Sequence, residues 1–367
     1  MKIYTVTFLI NNYGSVLQAY ALQTCLRELG AEPTIIVKTP KQQNSRLVSW
    51  ARSWLAVLKP YKHYSLVQRI KRRLDNKKYA IKNKKLGDFI NNNISVTRIT
   101  DEQVFLSNIE KTDVFLAGSD QIWSIILNPL SEWYTLQWLR GKENLKYSYA
   151  ASIGLSELTQ EQMSIYEKGL SLLQTVSLRE RQAVNLLTPL FPNRIRQDLD
   201  PTLLYDKVFW RKIEALRPVN EPYVFVYMLR PDENVILLAK RIAKEKGLKV
   251  FYTGLYADSF VDVETVCDAG LPEFLSYIDN ADVVVVNSFH GTVFSVLFEK
   301  PFLSVKVAST SSRVESFLEM TGLMSQYVEE TENPYSLTVD YSTAEIVLER
   351  ERKKSRDYLK SICNSNK

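Results

Sequence analysis

Residues 281–306 read ADVVVVNSFHGTVFSVLFEKPFLSVK. The apolar run Val283–Val286 stops at Asn287-Ser288, and His290 and Gly291 follow. An apolar-periodic segment comes next, then Pro301 and a second apolar run. This predicts a buried strand, a tight loop, a helix and a second strand, the repeating unit of a parallel α/β sheet. In such sheets ligands sit just past the carboxyl ends of strands, where His290 falls. The chain has only two histidines, His63 and His290, so any imidazole chemistry points to His290. Backbone N–H groups at Gly291 and Thr292 would open the following helix and offer an anion seat. The plainer reading is a loop histidine satisfied by a backbone carbonyl.

The same rhythm runs outward in both directions. Lys2–Ile10 predicts a strand, Asn11-Asn12-Tyr13-Gly14-Ser15 a turn, and the apolar residues from Val16 to Leu29 a helix closed by Gly30. Thr34–Val37 is a second strand. Strand patterns recur at Thr112–Leu116, Leu145–Ala151 and Thr175–Leu178, with a helix over Gln160–Leu173. The second half starts afresh at Tyr223–Leu229 and ends in a charged helix, Thr343–Cys363. The expectation is α/β: two tandem Rossmann-like doubly wound domains with a cleft between them. Residues 1–205 form the first, 206–340 the second, carrying His290, and 341–367 a terminal helix.

Residues 41–98 interrupt this pattern. They hold 15 Lys/Arg against Asp75 and Asp88, a local charge of +13 in a chain of 367 residues whose net charge is only +6. The remainder is therefore acidic, which argues against a nucleic-acid binder. The segment reads as an amphipathic helical insertion with an apolar patch at Trp50, Trp54, Leu55 and Leu58. One reading lays it on an anionic membrane surface. The other makes it a solvated basic insertion that covers the first domain or meets an acidic patch of the second. Three scattered cysteines give neither a disulfide framework nor a metal-ligand spacing, and a reducing cytosol is the expected setting. No metal site is expected, and no segment approaches 18 uninterrupted apolar residues.

Seven blocks, in order, carry a family resemblance: residues 12–22 (NYGSVLQAYAL), 117–123 (AGSDQIW), 149–154 (YAASIG), 177–180 (SLRE), 200–204 (DPTLL), 288–292 (SFHGT) and 311–314 (SSRV). In these the chain resembles the polysaccharide pyruvyl transferases. The resemblance implies a fold similar to the two-domain GT-B glycosyltransferases. It implies a donor substrate, phosphoenolpyruvate, rather than a bound cofactor. The implied reaction moves its pyruvate unit onto two hydroxyls of a sugar in a polysaccharide or lipid-linked precursor, as in capsule or exopolysaccharide synthesis. One departure stands out: Ser288 occupies a position where some members carry a donor-binding arginine.

That chemistry needs a proton carrier, a base and an anion grip. His290 suits proton transfer, either to the enol carbon or to the leaving phosphate, because imidazole ordinarily titrates near neutrality. Asp120, in the loop after the Thr112–Leu116 strand, is the candidate base; it reads equally as a turn or helix cap. Arg179 follows a strand and Arg313 opens a helix, and a guanidinium fork matches carboxylate or phosphate. Each also reads as an ordinary paired arginine, Arg179 with Glu180 or Asp200. Arg230 and Lys300 are further cation candidates, though Arg230 precedes a turn proline and Lys300 suits a helix C-terminus. Ser288, Phe289, Gly291 and Thr292 surround the histidine, while Asn12, Gly14 and Ser15 offer close approach and hydrogen bonds to sugar. Two other functions stay open: a glycosyltransferase using a nucleotide sugar, and a non-catalytic carbohydrate- or lipid-binding protein of an assembly complex.

Overall fold

In the computed structural model, alternating apolar strands and one-faced helices assemble two parallel sheets, each covered by helices. The structure describes residues 1–39, 66–125, 129–229, 231–254, 260, 262–307, 311–329 and 333–365, with backbone alone for 66–76 and 311.

The first sheet takes β1 (Lys2–Val6), β2 (Glu32–Lys38), β3 (Val96–Ile99), β4 (Val114–Ala117) and β5 (Lys146–Ser148), in the order β3-β2-β1-β4-β5. The crossovers include α1 (Tyr13–Glu28), the long α2 (Leu66–Asn93) and α3 (Glu102–Asn108). Beyond β5 the chain forms α4 (Gln160–Gly169), β6 (Val176–Leu178), α5 (Arg181–Leu187) and β7 (Ile195–Gln197). The β6-β7 pair continues the first sheet through single parallel bridges, Tyr147 to Thr175 and Ala151 to Leu178. The short α6 (Lys207–Arg211) leads onward.

The second sheet is built from β8 (Tyr223–Met228), β9 (Lys249–Gly254), β10 (Glu264–Thr265), β11 (Val283–Val286), β12 (Phe302–Val305) and β13 (Tyr327–Val328). Its order is β10-β9-β8-β11-β12-β13, parallel throughout. Its helices are α7 (Glu233–Lys246), α8 (Leu271–Asp279), α9 (Phe289–Leu297) and α10 (Ser311–Thr321). The final α11 (Ser342–Cys363) crosses back to the first domain. There Tyr358 donates to the Ser148 carbonyl at 3.0 Å, and Arg356 pairs with Glu28 at 2.7 Å. Each sheet reverses its strand order once, at β1/β4 and at β8/β11, the switch points at whose carboxyl ends open α/β sheets bind their ligands.

The two domains share one apolar cluster around the start of α1. Tyr13 stacks on Phe274 of α8 at 4.1 Å and donates to the Ala269 carbonyl at 2.6 Å. The architecture is the doubly wound pair expected from the sequence. Several spans differ. β1 ends at Val6 because the next residues turn away: Thr7 donates to the Ser119 carbonyl and Ser15 to the Phe8 carbonyl. β5 is short because Ala150, at φ 45°, leaves extended geometry. The helix expected over Gln160–Leu173 ends at Gly169.

The basic stretch departs most from expectation. Its last residues, with Ile99, form β3, an edge strand hidden in the sequence by a lysine-rich approach and only four residues long. Trp50, Trp54, Leu55 and Leu58 lie outside the described residues. The second half of α2 is docked inside the molecule. Leu86 is buried, Phe89 packs edge-on to Tyr20 of α1, and Lys85 pairs with Glu273 of α8 at 2.5 Å. Lys82 is 1% exposed, donates to the Gly254 carbonyl at the end of β9, and lies over the Tyr13 ring at 4.2 Å. Burial pulls its ammonium down to about 8. This part of α2 packs on α1 of the first domain and on β9 and α8 of the second, with Lys82 buried between them rather than solvated.

Candidate active site at the domain crevice

α9 starts where β11 ends, and its first turn carries His290 inward. Ser288 caps this helix: its hydroxyl accepts from the Gly291 N–H at 3.0 Å. The Thr292 N–H donates to the Ser288 carbonyl at 3.0 Å, and the Thr292 hydroxyl lies 2.8 Å from Ser304 Oγ. The amides expected to seat an anion are therefore already bonded. Ser288, Gly291 and Thr292 shape the helix start, which corrects that expectation.

His290 is 8% exposed and its Nε2 lies 3.6 Å from Asp200 Oδ2. That is an ion-pair distance, beyond a hydrogen bond, and Nε2 has no hydrogen-bond partner among the described residues. The imidazole also lies against Gly14 of the first domain, where a Cβ would overlap Nδ1. Gly14 is thus the opening through which the two helix starts approach.

Asp200 follows β7 and is fully buried. Its Oδ1 accepts from the Thr202 N–H at 3.0 Å and hydroxyl at 2.7 Å, while Oδ2 accepts from Arg179 Nη1 at 2.6 Å. Burial opposes its charge, but His290, Arg179 and Thr202 more than offset this and hold the carboxyl well below its ordinary range. An Asp-Pro pair by itself signals a turn. The turn exists, and its carboxylate also joins His290 to Arg179.

Arg179, after β6, is 6% exposed. The Phe289 ring covers its guanidinium at 4.3 Å, and Glu180 Oε2 lies 3.9 Å from its Nε. Glu180 in turn accepts, through Oε1, from the Ser152 hydroxyl and from the N–H groups of Ile153 and Gly154. Arg313, in the first turn of α10, is equally buried. Burial and the charge of Arg179 lower its guanidinium to about 10. Arg179 Nε and Nη2, and Arg313 Nε, have no hydrogen-bond partner among the described residues. A buried donor left unsatisfied costs about 1–3 kcal/mol. Two adjacent cations with spare donors are therefore an expensive arrangement unless an anion completes it. The two arginines, Asp200 and Phe289 line a cavity of about 20 Å3, roughly the space of one water.

Past the end of β4, on the same sheet edge as Arg179, Asp120 is half-buried at φ 79°, with Oδ1 accepting from the Gln121 N–H at 2.8 Å. Its charge reaches Arg179, Arg313, Tyr134 and Tyr227. Asn12 caps α1, accepting from the Gly14 N–H at 3.0 Å and from the Tyr227 hydroxyl at 3.4 Å. Ser15 is turned inward: it donates to the Phe8 carbonyl at 2.8 Å and accepts from the Ile10 N–H, so it holds the loop. Lys300 lies beyond the other end of α9 from His290. It donates to the Asp279 carbonyl at 2.8 Å, which takes it out of this constellation. Arg230 lies outside the described residues. The sequence offers Glu180 as a partner for Arg179; its hold on the Ser152–Gly154 turn shows only in three dimensions.

A sequence model of the polysaccharide pyruvyl transferase family matches residues 12–309. No curated protein matches the chain at a significant level. Among solved structures, the chain is similar to UGT89C1 of Arabidopsis thaliana complexed with UDP-L-rhamnose, at 9% identity and a TM-score of 0.51, covering 99% of this chain and 98% of that one. It is also similar to UDP-GlcNAc 2-epimerase from Methanocaldococcus jannaschii, at 9% identity and a TM-score of 0.50, covering 95% and 92%. At these identities the likeness is one of fold, the two-domain GT-B-like arrangement.

Proposed function

The chain belongs to the polysaccharide pyruvyl transferase family, and from that premise we propose that it transfers the pyruvate unit of phosphoenolpyruvate to two hydroxyls of a saccharide. One observation carries the proposal: two buried arginines with spare donors stand beside the His290–Asp200 contact. Phosphoenolpyruvate brings a carboxylate and a phosphate to one small molecule, and two guanidinium forks match that pair. Arg179 and Arg313 then do the work that the serine at position 288 cannot.

In the proposed reaction, C3 of the enol gains a proton and becomes a methyl group. The positive charge left on C2 is taken by one sugar oxygen and then by the second. The C2–O bond to phosphate breaks with its electron pair on the phosphate. Of the two hydroxyl protons released, one balances the new methyl proton and the other leaves with phosphate. His290 carries the proton to C3 or to the departing phosphate, with Asp200 offsetting the imidazolium charge. Asp120 accepts a hydroxyl proton. The cavity directly against the guanidinium groups is about 20 Å3, room for one water, so donor binding requires the side chains around it to move apart.

The exposed lysines Lys77 and Lys78 of α2 are read as a contact for an anionic membrane surface, which would bring the enzyme to a lipid-linked acceptor. Among the described residues no helix is long and apolar enough to cross a membrane.

Thermal shift separates the proposal from a nucleotide-sugar enzyme. Phosphoenolpyruvate is expected to raise Tm in a concentration-dependent way and UDP-hexoses to leave it unchanged. A shift with UDP-hexoses alone would overturn the donor assignment.

A further inference from the structure

The crevice has a second side. The loop after β1 carries Phe8, and the turn before Gln137 carries Tyr134. Both rings are half-buried, and they meet edge to face at 4.9 Å and 77°. Each is anchored through its backbone. The Phe8 carbonyl accepts from the Ser15 hydroxyl at 2.8 Å, and the preceding Thr7 hydroxyl donates to the Ser119 carbonyl at 2.7 Å. The Tyr134 carbonyl accepts from the indole N–H of buried Trp123 at 2.9 Å. The inner sides of both rings pack on the apolar cluster of the first domain. Their positions are thus set before any ligand arrives, and both residues are only partly buried.

Asp120 is the charged neighbour. Burial raises the Tyr134 phenol above its ordinary value and the charge of Asp120 raises it further, so the two groups share one local field. Thr7 ties the Phe8 loop to Ser119, the residue before Asp120. The carboxyl ends of β1 and β4 therefore present two fixed aromatic rings and one carboxylate together.

We propose that Phe8 and Tyr134, with Asp120, form a platform that binds a neutral pyranose of the acceptor. This rests on the reading of the protein as a saccharide-modifying transferase and adds the residues that would choose the sugar. The C–H face of a pyranose is apolar and lies on an aromatic ring, while its edge hydroxyls need acceptors. An aromatic ring beside a carboxylate meets both needs. The same carboxylate repels a phosphate, so the platform disfavours a nucleotide or an anionic donor. Those are served by Arg179 and Arg313. Asp120 thus stands between an anionic donor and a neutral acceptor, where a hydroxyl proton is to be removed.

The test is saturation-transfer NMR of the full chain with a panel of neutral methyl hexopyranosides and their β-linked disaccharides. Wild type is expected to transfer saturation mainly to ring protons on one pyranose face. Phe8→Ala and Tyr134→Ala are expected to weaken that binding about ten-fold each, and Phe8→Leu, which keeps bulk, to weaken it too. Tyr134→Phe keeps the ring and stays within a few-fold of wild type. Each variant is also titrated with phosphoenolpyruvate by thermal shift, and an unchanged donor response shows that the crevice is intact. Saccharide binding unaffected by Phe8→Leu and Tyr134→Ala overturns the proposal. So does a wild type that contacts no saccharide of the panel. Saccharide binding lost in the variants, in a protein that never responds to phosphoenolpyruvate, would instead leave the platform standing and sink the donor assignment.

Discussion

Two helix starts face each other across the crevice, and they are built alike. α1 follows β1 and is capped by Asn12; α9 follows β11 and is capped by Ser288. Both caps spend a side-chain oxygen on an N–H two or three residues on. Their contents differ. α1 presents Gly14, which has no side chain, and α9 presents His290, which fills the space Gly14 leaves. One unit supplies room and the other an imidazole, the proton carrier of the proposed reaction. In each helix the cap takes up one N–H of the first turn, Gly14 in α1 and Gly291 in α9. On the proposed reading, the anion goes to Arg179 and Arg313, where Arg179 Nε and Nη2 and Arg313 Nε have no hydrogen-bond partner among the described residues.

The largest effect is expected at the chemical member of this pair. His290→Ala should lower phosphate release by roughly 10²- to 10⁴-fold, the usual worth of a general acid or base, while leaving the far-ultraviolet dichroism unchanged. Activity within a few-fold of wild type would make the histidine structural.

Next comes the member that supplies room. Gly14→Ala should cost roughly 10²-fold in kcat, because a Cβ there displaces the imidazole and a misplacement of about 1 Å costs that much. Alanine is better than glycine in a helix by about 1 kcal/mol, so a normal Tm with lost activity is the expected signature. A fully active variant would show that the close approach is incidental.

A smaller effect concerns the insertion that braces the pair. Lys82 touches Tyr13, the neighbour of Gly14, and its ammonium is pulled from 10.5 down to about 8. Between those values the unfolded chain binds the proton and the native chain does not. Native stability therefore rises with pH through that window, by about 1.4 kcal/mol per pH unit. Below pH 8 both states are protonated and the slope vanishes. Chemical denaturation from pH 7 to 10 should show this rise relative to Lys82→Met, which lacks it. Parallel curves for the two proteins would contradict the placement of Lys82.

The smallest effect lies outside the crevice. Lys77→Gln with Lys78→Gln should weaken co-sedimentation with phosphatidylglycerol vesicles by about 1 kcal/mol per lysine at low salt, without changing turnover on a soluble acceptor. Equal sedimentation of the double variant and wild type would remove these lysines from any membrane contact.

The sequence made the strand–loop–helix units legible because their apolar periods are strong and their ends carry Asn, Ser and Gly. His290 was legible by scarcity, Arg179 by its place after a strand and Arg313 by its place at a helix start. Lys82 was not, because a buried lysine in a lysine-rich helix has the same local pattern as its solvated neighbours. Asp200 was only half legible, since Asp-Pro predicts a turn whether or not the carboxylate reaches a histidine about 90 residues on. The supposed amide seat at Gly291 and Thr292 failed for a local reason: the serine that starts the helix also closes it. Phe8 and Tyr134 carry no motif, and only the fold brings them together beside Asp120.

The most direct test of the donor seat is calorimetric titration of phosphoenolpyruvate into wild type, Arg313→Lys and Arg313→Gln. Saturable binding to wild type is expected, with weaker binding to the lysine variant because the fork is lost, and the weakest to the glutamine variant because the charge is lost as well. Equal affinity in all three proteins would contradict it.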